Sequence, residues 1–163
     1  MAKGSVVAYR NARANDADEI AALWALANRA RGAYFSETSV GVVRERIGAA
    51  AAIGKIAEEE ARVVGVAILS PARENGGRGE PIPGLAHLNT VSVNPERWGM
   101  GIGRALVALI VEHARQVGYD ELQLYVDENN ERARRLYERD GWKPTGEATP
   151  FEDAVLLRYV RVT

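Results

Sequence analysis

One stretch of the sequence, residues 91–106, restricts the fold more than any other. Val91 and Val93 alternate with a polar serine, which is typical of the end of a half-buried strand. An Asn-Pro pair follows and ends the strand, because Pro95 has no N–H to donate to a ladder. Three alternating glycines then lead directly into an apolar, helix-forming segment: Gly99, Gly101 and Gly103.

A strand, a glycine-rich loop and a helix start together make an anion-binding turn. Free main-chain N–H groups and the positive end of the helix dipole point at the occupant, and glycine lets the backbone approach it. The residue spacing excludes two known nucleotide-binding loops, the phosphate-binding loop of nucleotide triphosphatases and the dinucleotide-binding fingerprint. Arg104 and Ala105 follow the last glycine instead of Lys-Ser/Thr, and G-x-G-x-G replaces G-x-G-x-x-G. An ordinary glycine-rich turn stays open as the alternative.

A second pattern follows the next strand. Leu122, Leu124 and Val126 alternate in that strand, so strand, loop, helix and strand form a βαβ unit whose two strands should be parallel. Asn130 and Tyr137 then lie at i and i+7 of the next helix, on one face and about 10 Å apart along its axis. An amphipathic helix with a tyrosine in the core is the alternative for this stretch alone.

Both patterns resemble signatures of the GNAT family of N-acetyltransferases. The loop resembles the pyrophosphate signature [QR]-x-x-G-x-[GA], in which Gly101 and Gly103 match and Trp98 replaces the usual glutamine or arginine. The second pattern resembles N-x-x-A-x-x-[LF]-Y-x-x-x-G-[FW], and six positions match without insertion: Asn130, Ala133, Leu136, Tyr137, Gly141 and Trp142.

The resemblance extends over essentially the whole chain, because the predicted order β-α-α-β-β-β-α-β-α-β-β is similar to that of the family. It implies an α/β, single-domain acyl-CoA N-acyltransferase (GNAT) fold over residues 1–163. That fold has a mixed, mostly antiparallel twisted sheet, splayed central parallel strands and helices on both faces. Its predicted strands cover 6–11, 55–59, 63–69, 85–93, 143–148 and 154–162. Asn15 or Asp16 is expected to cap the first helix, where Asp16 and Glu19 fit a capping box, and a second helix is predicted over 40–51.

The resemblance also implies acetyl-CoA as the cofactor and assigns residues to it. Main-chain groups of Val91 and Val93 pair with the pantetheine amides, the loop binds the pyrophosphate, and Tyr137 protonates the leaving thiolate. The implied cofactor-binding residues are Val91, Ser92, Val93, Trp98, Gly99, Met100, Gly101, Ile102, Gly103, Arg104, Asn130, Ala133 and Tyr137.

Acetyl transfer from a thioester to an amine needs an acid for the thiolate and a base for the ammonium. A phenol with an ordinary pKa near 10 suits the first task. Many family members carry a glutamate six residues before the end of the strand, where this chain has His87. Histidine titrates near neutrality and accepts a proton directly or through a water, which Asn89 on the same side would hold. A half-buried structural histidine is the alternative.

The acceptor cleft is expected around Trp24, Tyr34 and Phe35, with core packing of the aromatic pair as the alternative. Residues 71–84 are rich in proline and glycine and predict a long loop, which is either a surface excursion or a substrate-side flap. The arginines after Asn130 predict a solvated helix face paired with neighbouring acidic residues, and a basic edge near the CoA phosphates is the alternative.

Composition narrows the function classes. A net charge of −1 gives no field that would attract nucleic acid or a membrane. The sequence has no cysteine, which excludes an acyl-cysteine intermediate and thiolate metal sites and fits a cytoplasmic location. We therefore expect direct transfer in a ternary complex to a primary amine of a small molecule or peptide, without a metal. A CoA-binding sensor without catalysis, a plain nucleotide-binding module and a homodimer stay open.

Overall fold

Seven strands, five α-helices and two short 3₁₀ helices (Ala14–Asp16 and Pro95–Arg97) make up the computed structural model, which describes residues 4–163. The strands are β1 (Ala8–Asn11), β2 (Ile53–Glu59), β3 (Arg62–Arg73), β4 (Pro81–Val93), β5 (Glu121–Asp127), β6 (Lys143–Phe151) and β7 (Ala154–Val162). The helices are α1 (Ala17–Ala30), α2 (Glu37–Arg46), α3 (Glu74–Gly77, one irregular turn), α4 (Ile102–Gln116) and α5 (Glu131–Arg139). Apart from the short α3, this is the predicted order.

The strands form one mixed sheet in the order β1-β2-β3-β4-β5-β7-β6. The pair β4/β5 is parallel, which confirms the predicted βαβ unit. The pairs β1/β2, β2/β3, β5/β7 and β6/β7 are antiparallel, so the sheet is mostly antiparallel, as expected. No helix in residues 4–163 is long and apolar enough to cross a membrane.

The chain forms two compact units, which are described separately. The first unit comprises the described residues up to Leu69 together with Thr90–Ile110, and the second comprises Ser70–Asn89 and Val111–Thr163. The divisions fall inside β3, β4 and α4, so each of these elements contributes residues to both units.

The first unit has helices on both faces of its strands. Its buried core joins α1 and α2 to β2 and β3 through Ile20, Leu23, Val43, Ile56, Val63, Val66 and Ile68. Gly65 lies next to Val66 on β3 and points the opposite way. A Cβ on Gly65 would come within 2.8 Å of Ile102 and 2.9 Å of Leu106, so α4 packs on this second face. The predicted arrangement of helices on both faces is confirmed here.

The second unit buries only one face of β5 deeply. Leu122, Leu124 and Val126 are buried, whereas the alternate residues of β5 are half-buried or exposed. Leu124 lies opposite the buried Tyr159 of β7. The Tyr159 hydroxyl donates to Glu138 of α5 at 2.7 Å, which places α5 on the same side as these apolar residues. The other side of β5 is free to carry polar side chains.

Several segment boundaries differ from the sequence-based expectation, among them the end of the helix predicted over 40–51, which lies at Arg46. The segment 71–84 is not a long loop, because β3 continues to Arg73 and β4 begins at Pro81. Only α3 and its flanks connect the two strands, closed by a hydrogen bond from Glu74 N to Glu80 O at 3.0 Å. The last turn lies at Glu152, with φ +51°, instead of Thr149-Pro150, because the edge strand β6 tolerates Pro150. Helix α2 begins at Glu37, since Ser36 accepts a hydrogen bond from Ser39 N.

The predicted capping box between Asp16 and Glu19 is also wrong. Asp16 accepts hydrogen bonds from Arg13 N at 2.7 Å and from both terminal nitrogens of Arg10 at 2.8 Å. Glu19 instead accepts from Val63 N at 3.2 Å. Both carboxylates therefore bind groups outside their own helix, Asp16 on β1 and Glu19 on β3, which spacing along one helix cannot indicate.

We expect Asp16→Asn to lower the free energy of unfolding at pH 7 by about 2 kcal/mol, because it removes one of the two carboxylates that bind the part-buried Arg10 guanidinium and leaves only Glu58, at 3.0 Å. Arg10 lowers the pKa of Asp16 below its ordinary value. The stabilisation is therefore present above about pH 4 and is lost as pH falls through the lower native pKa. Urea unfolding at pH 7 and pH 3 measures both effects.

Asp18→Asn is the matched control. The Asp18 side chain is 89% exposed, against 9% for Asp16, although it also lies 2.8 Å from an arginine. Its loss should cost less than about 0.5 kcal/mol at either pH. Equal losses in the two variants would contradict the structural role of Asp16.

Candidate active site

Residues 94–104 connect β4 to α4 and include the first turn of α4. They are called the glycine loop below and lie in the first unit. Asn94 N donates to Val64 O on β3 at 2.8 Å, and the Asn94 side chain accepts from Glu96 N at 3.0 Å. Arg97 lies 2.7 Å from the carboxylate of Glu59, whose side chain is only 11% exposed. The start of the loop is therefore fixed to β2 and β3.

Trp98, the residue that departs from the family signature, has a structural role in this loop. Its indole Nε1 donates to the carbonyl of Val93 at 2.9 Å, which ties the loop back to the last residue of β4. Glutamine and arginine, the usual residues, also carry side-chain N–H donors. The substitution thus preserves a donor at this position.

Gly99 and Gly101 give the loop a backbone shape that is typical of anion-binding turns. They have φ of +80° and +82°, where residues with a side chain are strained, and a Cβ on either would meet nothing within 4 Å. Helix α4 begins immediately afterwards, and its first hydrogen bond runs from Ala105 N to Gly101 O at 3.0 Å. The N–H groups of Ile102 and Gly103 precede that bond and point out of the helix start. An anionic diphosphate fits this open, donor-rich turn.

The other predicted loop and strand residues lie around this turn. Met100 is 66% exposed and Arg104 is exposed. On β4, Ser92 is buried, whereas Val91 and Val93 are half-buried. The strand thus turns these two valines toward its accessible side, as the sequence alternation predicts.

In the second unit, the ladder between β4 and β5 is short. It contains three residue pairs, from Leu85 with Glu121 to His87 with Gln123, although β5 continues to Asp127. His87 therefore stands where the parallel pairing ends. A ligand with amide groups finds unpaired strand edges at such a position.

His87 is half-buried and packs against Tyr125, with ring centroids 5.8 Å apart. Asn89 is close to it on the same strand, and its amide donates to Ser70 Oγ at 2.7 Å and to the His87 carbonyl at 3.2 Å. Sequence reasoning identified His87 and Asn89 but missed Ser70 and Tyr125. These two come from neighbouring strands, and only the strand register brings them to the site.

Helix α5 carries the predicted acid. The Asn130 side chain caps the helix by accepting a hydrogen bond from Ala133 N at 3.2 Å. Asn130 and Ala133, which both match the second signature, therefore have a local structural role. Tyr137 is buried and packs edge-on against Trp142, with ring centroids 5.7 Å apart. Burial raises the pKa of Tyr137 above its ordinary value near 10. The phenol therefore stays protonated at neutral pH, as a proton donor must.

The arginines of α5 differ from one another. Arg135 lies 4.0 Å from Glu131 on an exposed face, which is the predicted solvated pairing. Arg134 instead donates to the Tyr159 hydroxyl at 3.2 Å and to Glu128 O at 3.0 Å. Arg134 therefore braces the helix against β7 and the preceding turn.

The predicted aromatic acceptor residues lie in the first unit. Trp24 and Phe35 pack edge to face at 5.1 Å, and the Arg29 guanidinium lies 5.4 Å from the Phe35 ring centre. Trp24 also packs against the buried core, whereas Tyr34 is 76% exposed. The structure thus brings two of the three together. No cluster of metal-ligating side chains occurs in the described part of the chain.

Comparison with known proteins agrees with this geometry. The model of the acetyltransferase (GNAT) family matches residues 18–142, more than half of the chain, which therefore belongs to this family. The fold is similar to that of a GNAT-family acetyltransferase from Desulfovibrio desulfuricans, with a TM-score of 0.80, 22% identity and coverage of 96% of this chain and 99% of that one. It is also similar to the PaiA N-acetyltransferase of Thermoplasma acidophilum, solved with coenzyme A (TM-score 0.70, 17% identity, 94% and 98% coverage).

A sequence relative is the mycothiol acetyltransferase of Kocuria rhizophila, which is 44% identical over 61 residues. That match covers 37% of this chain and 20% of the relative. The chain thus matches about a fifth of the length of this longer protein.

We expect Gly101→Ala to weaken the affinity for CoA by at least about tenfold, because the new Cβ enters the space of the diphosphate at a strained φ. Gly118→Ala is the matched control, since Gly118 has φ +98° and also has nothing within 4 Å of a built Cβ, but ends α4. Both variants should lose about 1 kcal/mol of stability. Calorimetric titration with CoA separates them, and unchanged affinity in Gly101→Ala would contradict the assignment.

Proposed function

We propose that this chain is an acetyl-CoA-dependent N-acetyltransferase that transfers the acetyl group directly to a primary amine in a ternary complex. We propose further that residues 1–163 act as one acyltransferase domain. The observation that carries the proposal is the glycine loop, in which Gly99 and Gly101 adopt positive φ immediately before the start of α4. Membership of the acetyltransferase (GNAT) family supports the same chemistry.

Acetyl-CoA supplies a thioester: the amine nitrogen forms a bond to the acetyl carbon, the carbon–sulfur bond breaks, and sulfur leaves as a thiolate. In the proposal, N–H groups of Ile102 and Gly103 bind the diphosphate, and the edge formed by Val91 and Val93 binds the pantetheine amides. The side-chain amide of Asn130 has its oxygen engaged at Ala133 N, so its nitrogen is the group that would contact the cofactor.

Tyr137 is the proposed acid that gives its proton to the thiolate. Three features support this role. Its position matches the family signature, it is buried, and among residues 4–163 none makes a hydrogen bond with its hydroxyl. Because burial raises its pKa, the hydroxyl begins each cycle protonated. Transfer of the proton to sulfur neutralises the leaving thiolate, and the tyrosinate that remains takes up a proton from solvent before the next cycle.

His87 is the proposed base that takes a proton from the attacking ammonium, directly or through a water. It lies at the last residue pair of the β4/β5 ladder, and Asn89 places an amide beside its carbonyl. A neutral amine is the nucleophile, so removal of this proton precedes or accompanies attack. Acceptor contacts are proposed for Trp24, Tyr34, Phe35 and Asn89.

Two measurements test the proposal. Titration calorimetry compares CoA with ATP and NAD, and only CoA should bind in the micromolar range. Release of free thiol is then followed with acetyl-CoA and a panel of amines that includes amino acids, aminoglycosides and peptides with a free N-terminus. CoA binding without thiol release from any amine would favour the alternative, a catalytically inactive CoA sensor.

Tyr137→Phe should lower kcat by about 100-fold or more while leaving the Kd for CoA within about twofold, because only the proton donor is removed. Tyr119→Phe is the control, since burial also raises the pKa of Tyr119, but that residue follows α4 and has no proposed role. Steady-state kinetics across pH provide the measurement. In the wild type, deprotonation of Tyr137 should produce no alkaline limb below about pH 10. Unchanged turnover in Tyr137→Phe would remove it as the acid.

His87→Ala should lower kcat/KM about 100-fold at neutral pH and abolish or shift the acid limb of the rate profile, because the base is lost. The control is His113→Ala, which changes the other histidine of the chain, a half-buried residue of α4. A profile for His87→Ala that coincides with that of the wild type would assign the proton transfer to water or to another group.

A further inference from the structure

One face of the sheet in the second unit carries polar side chains and lies opposite the face on which α5 packs. On β5, Gln123 and Tyr125 point away from the buried side, because they alternate with buried leucines. His87 of β4 lies in register with Gln123, and Arg158 of β7 lies in register with Tyr125. These four residues share one face and are called the polar sheet face.

Arg158 is held at the side of this face with part of its guanidinium unused. Its Nε donates to Gln123 Oε1 at 3.0 Å and lies 3.9 Å from the half-exposed carboxylate of Glu147. Among the described residues, neither of its terminal nitrogens, Nη1 and Nη2, makes a hydrogen bond. The side chain as a whole is 23% exposed, so part of this arginine is in contact with solvent.

The bond to Gln123 sets the direction in which these donors point. The strand order is β4-β5-β7, so a side chain on β7 that bonds to β5 extends toward β4. His87, at the end of the β4/β5 ladder, lies on the next strand in that direction. Two strand spacings separate β4 from β7, about 10 Å between backbones, and an extended arginine spans more than half of that distance. The guanidinium therefore extends over β5 toward the strand that carries His87.

We propose that Arg158 binds a carboxylate of the acceptor, so that the acceptor is a small amine that carries a carboxylate near its amino group, such as a free amino acid. The proposal rests on the function proposed above, in which His87 receives the proton of the attacking amine. A guanidinium binds a carboxylate through two parallel hydrogen bonds, and its two terminal nitrogens are the donors required. The amino group of such a molecule then lies on the His87 side.

The experiment compares each of the twenty amino acids with its carboxamide, in which the negative charge is replaced by a neutral group. Acetylation is followed by thiol release from acetyl-CoA. In the wild type, the preferred amino acid should have a KM at least about tenfold below that of its amide. Arg158→Gln should raise the KM of the acid by about tenfold or more and leave the KM of the amide within about twofold. Arg158→Lys should retain part of the preference.

Arg161→Gln is the matched control. Arg161 lies on the same strand but in register with the buried Leu122, so it belongs to the opposite side of the sheet. This variant should keep the wild-type ratio of acid to amide, and thermal unfolding should show that all variants are folded. A general loss of activity toward acids and amides alike in Arg158→Gln would overturn the inference and give Arg158 a structural role.

A binding measurement separates this inference from the proposed enzymatic function. With CoA present, N-acetyl amino acids should shift the Nε–H NMR signal of Arg158, whereas their amides should not. No shift with any N-acetyl amino acid would overturn the inference even if amines are acetylated. Absence of thiol release from every amine would contradict the enzymatic function, and the NMR titration would then decide the carboxylate site alone.

Discussion

The hydrogen bond from Asn94 N to Val64 O is the constraint on which the glycine loop depends. It holds the end of β4 against β3 at the residue before a proline, where a strand cannot continue its ladder. Trp98 then returns to the carbonyl of Val93, so the chain has few ways to reach the first turn of α4. The positive φ of Gly101 completes that path. These contacts fix the first turn of α4, with its unpaired main-chain N–H groups, before any ligand binds.

The short ladder between β4 and β5 has a comparable consequence in the second unit. Parallel strands normally exchange evenly spaced hydrogen bonds along their length, but this pair stops after His87 and Gln123. The side chains of His87 and Gln123, at the end of the ladder, are half-buried. His87 reaches Tyr125, and Asn89 reaches Ser70, across neighbouring strands. His87 and its polar neighbour Asn89 therefore lie where the backbone pairing ends.

The sequence predicted the element order, the parallel pair and both signature segments, because alternation, glycine spacing and helical periodicity are local properties. It failed where distant residues compete with local ones. Glu19 was expected to cap its own helix and instead binds Val63, which is far away in sequence. Residues 71–84 have the composition of a loop, yet pairing of β3 with β4 extends both strands into it. Arg158 belongs to no motif, and only its register with Tyr125 places it on the polar sheet face.

The exposure of each group follows its proposed task. A diphosphate is too costly to bury without full compensation, and two glycines of the loop that would receive it, Gly99 and Gly101, are exposed. Tyr137 needs the opposite environment, because burial raises its pKa and keeps the hydroxyl protonated. Arg158 lies between these extremes: at 23% exposure its charge remains partly hydrated while two donors stay open. An arginine buried further would need a carboxylate closer than that of Glu147, which lies 3.9 Å from the Arg158 Nε, and one exposed further would gain little from binding a ligand.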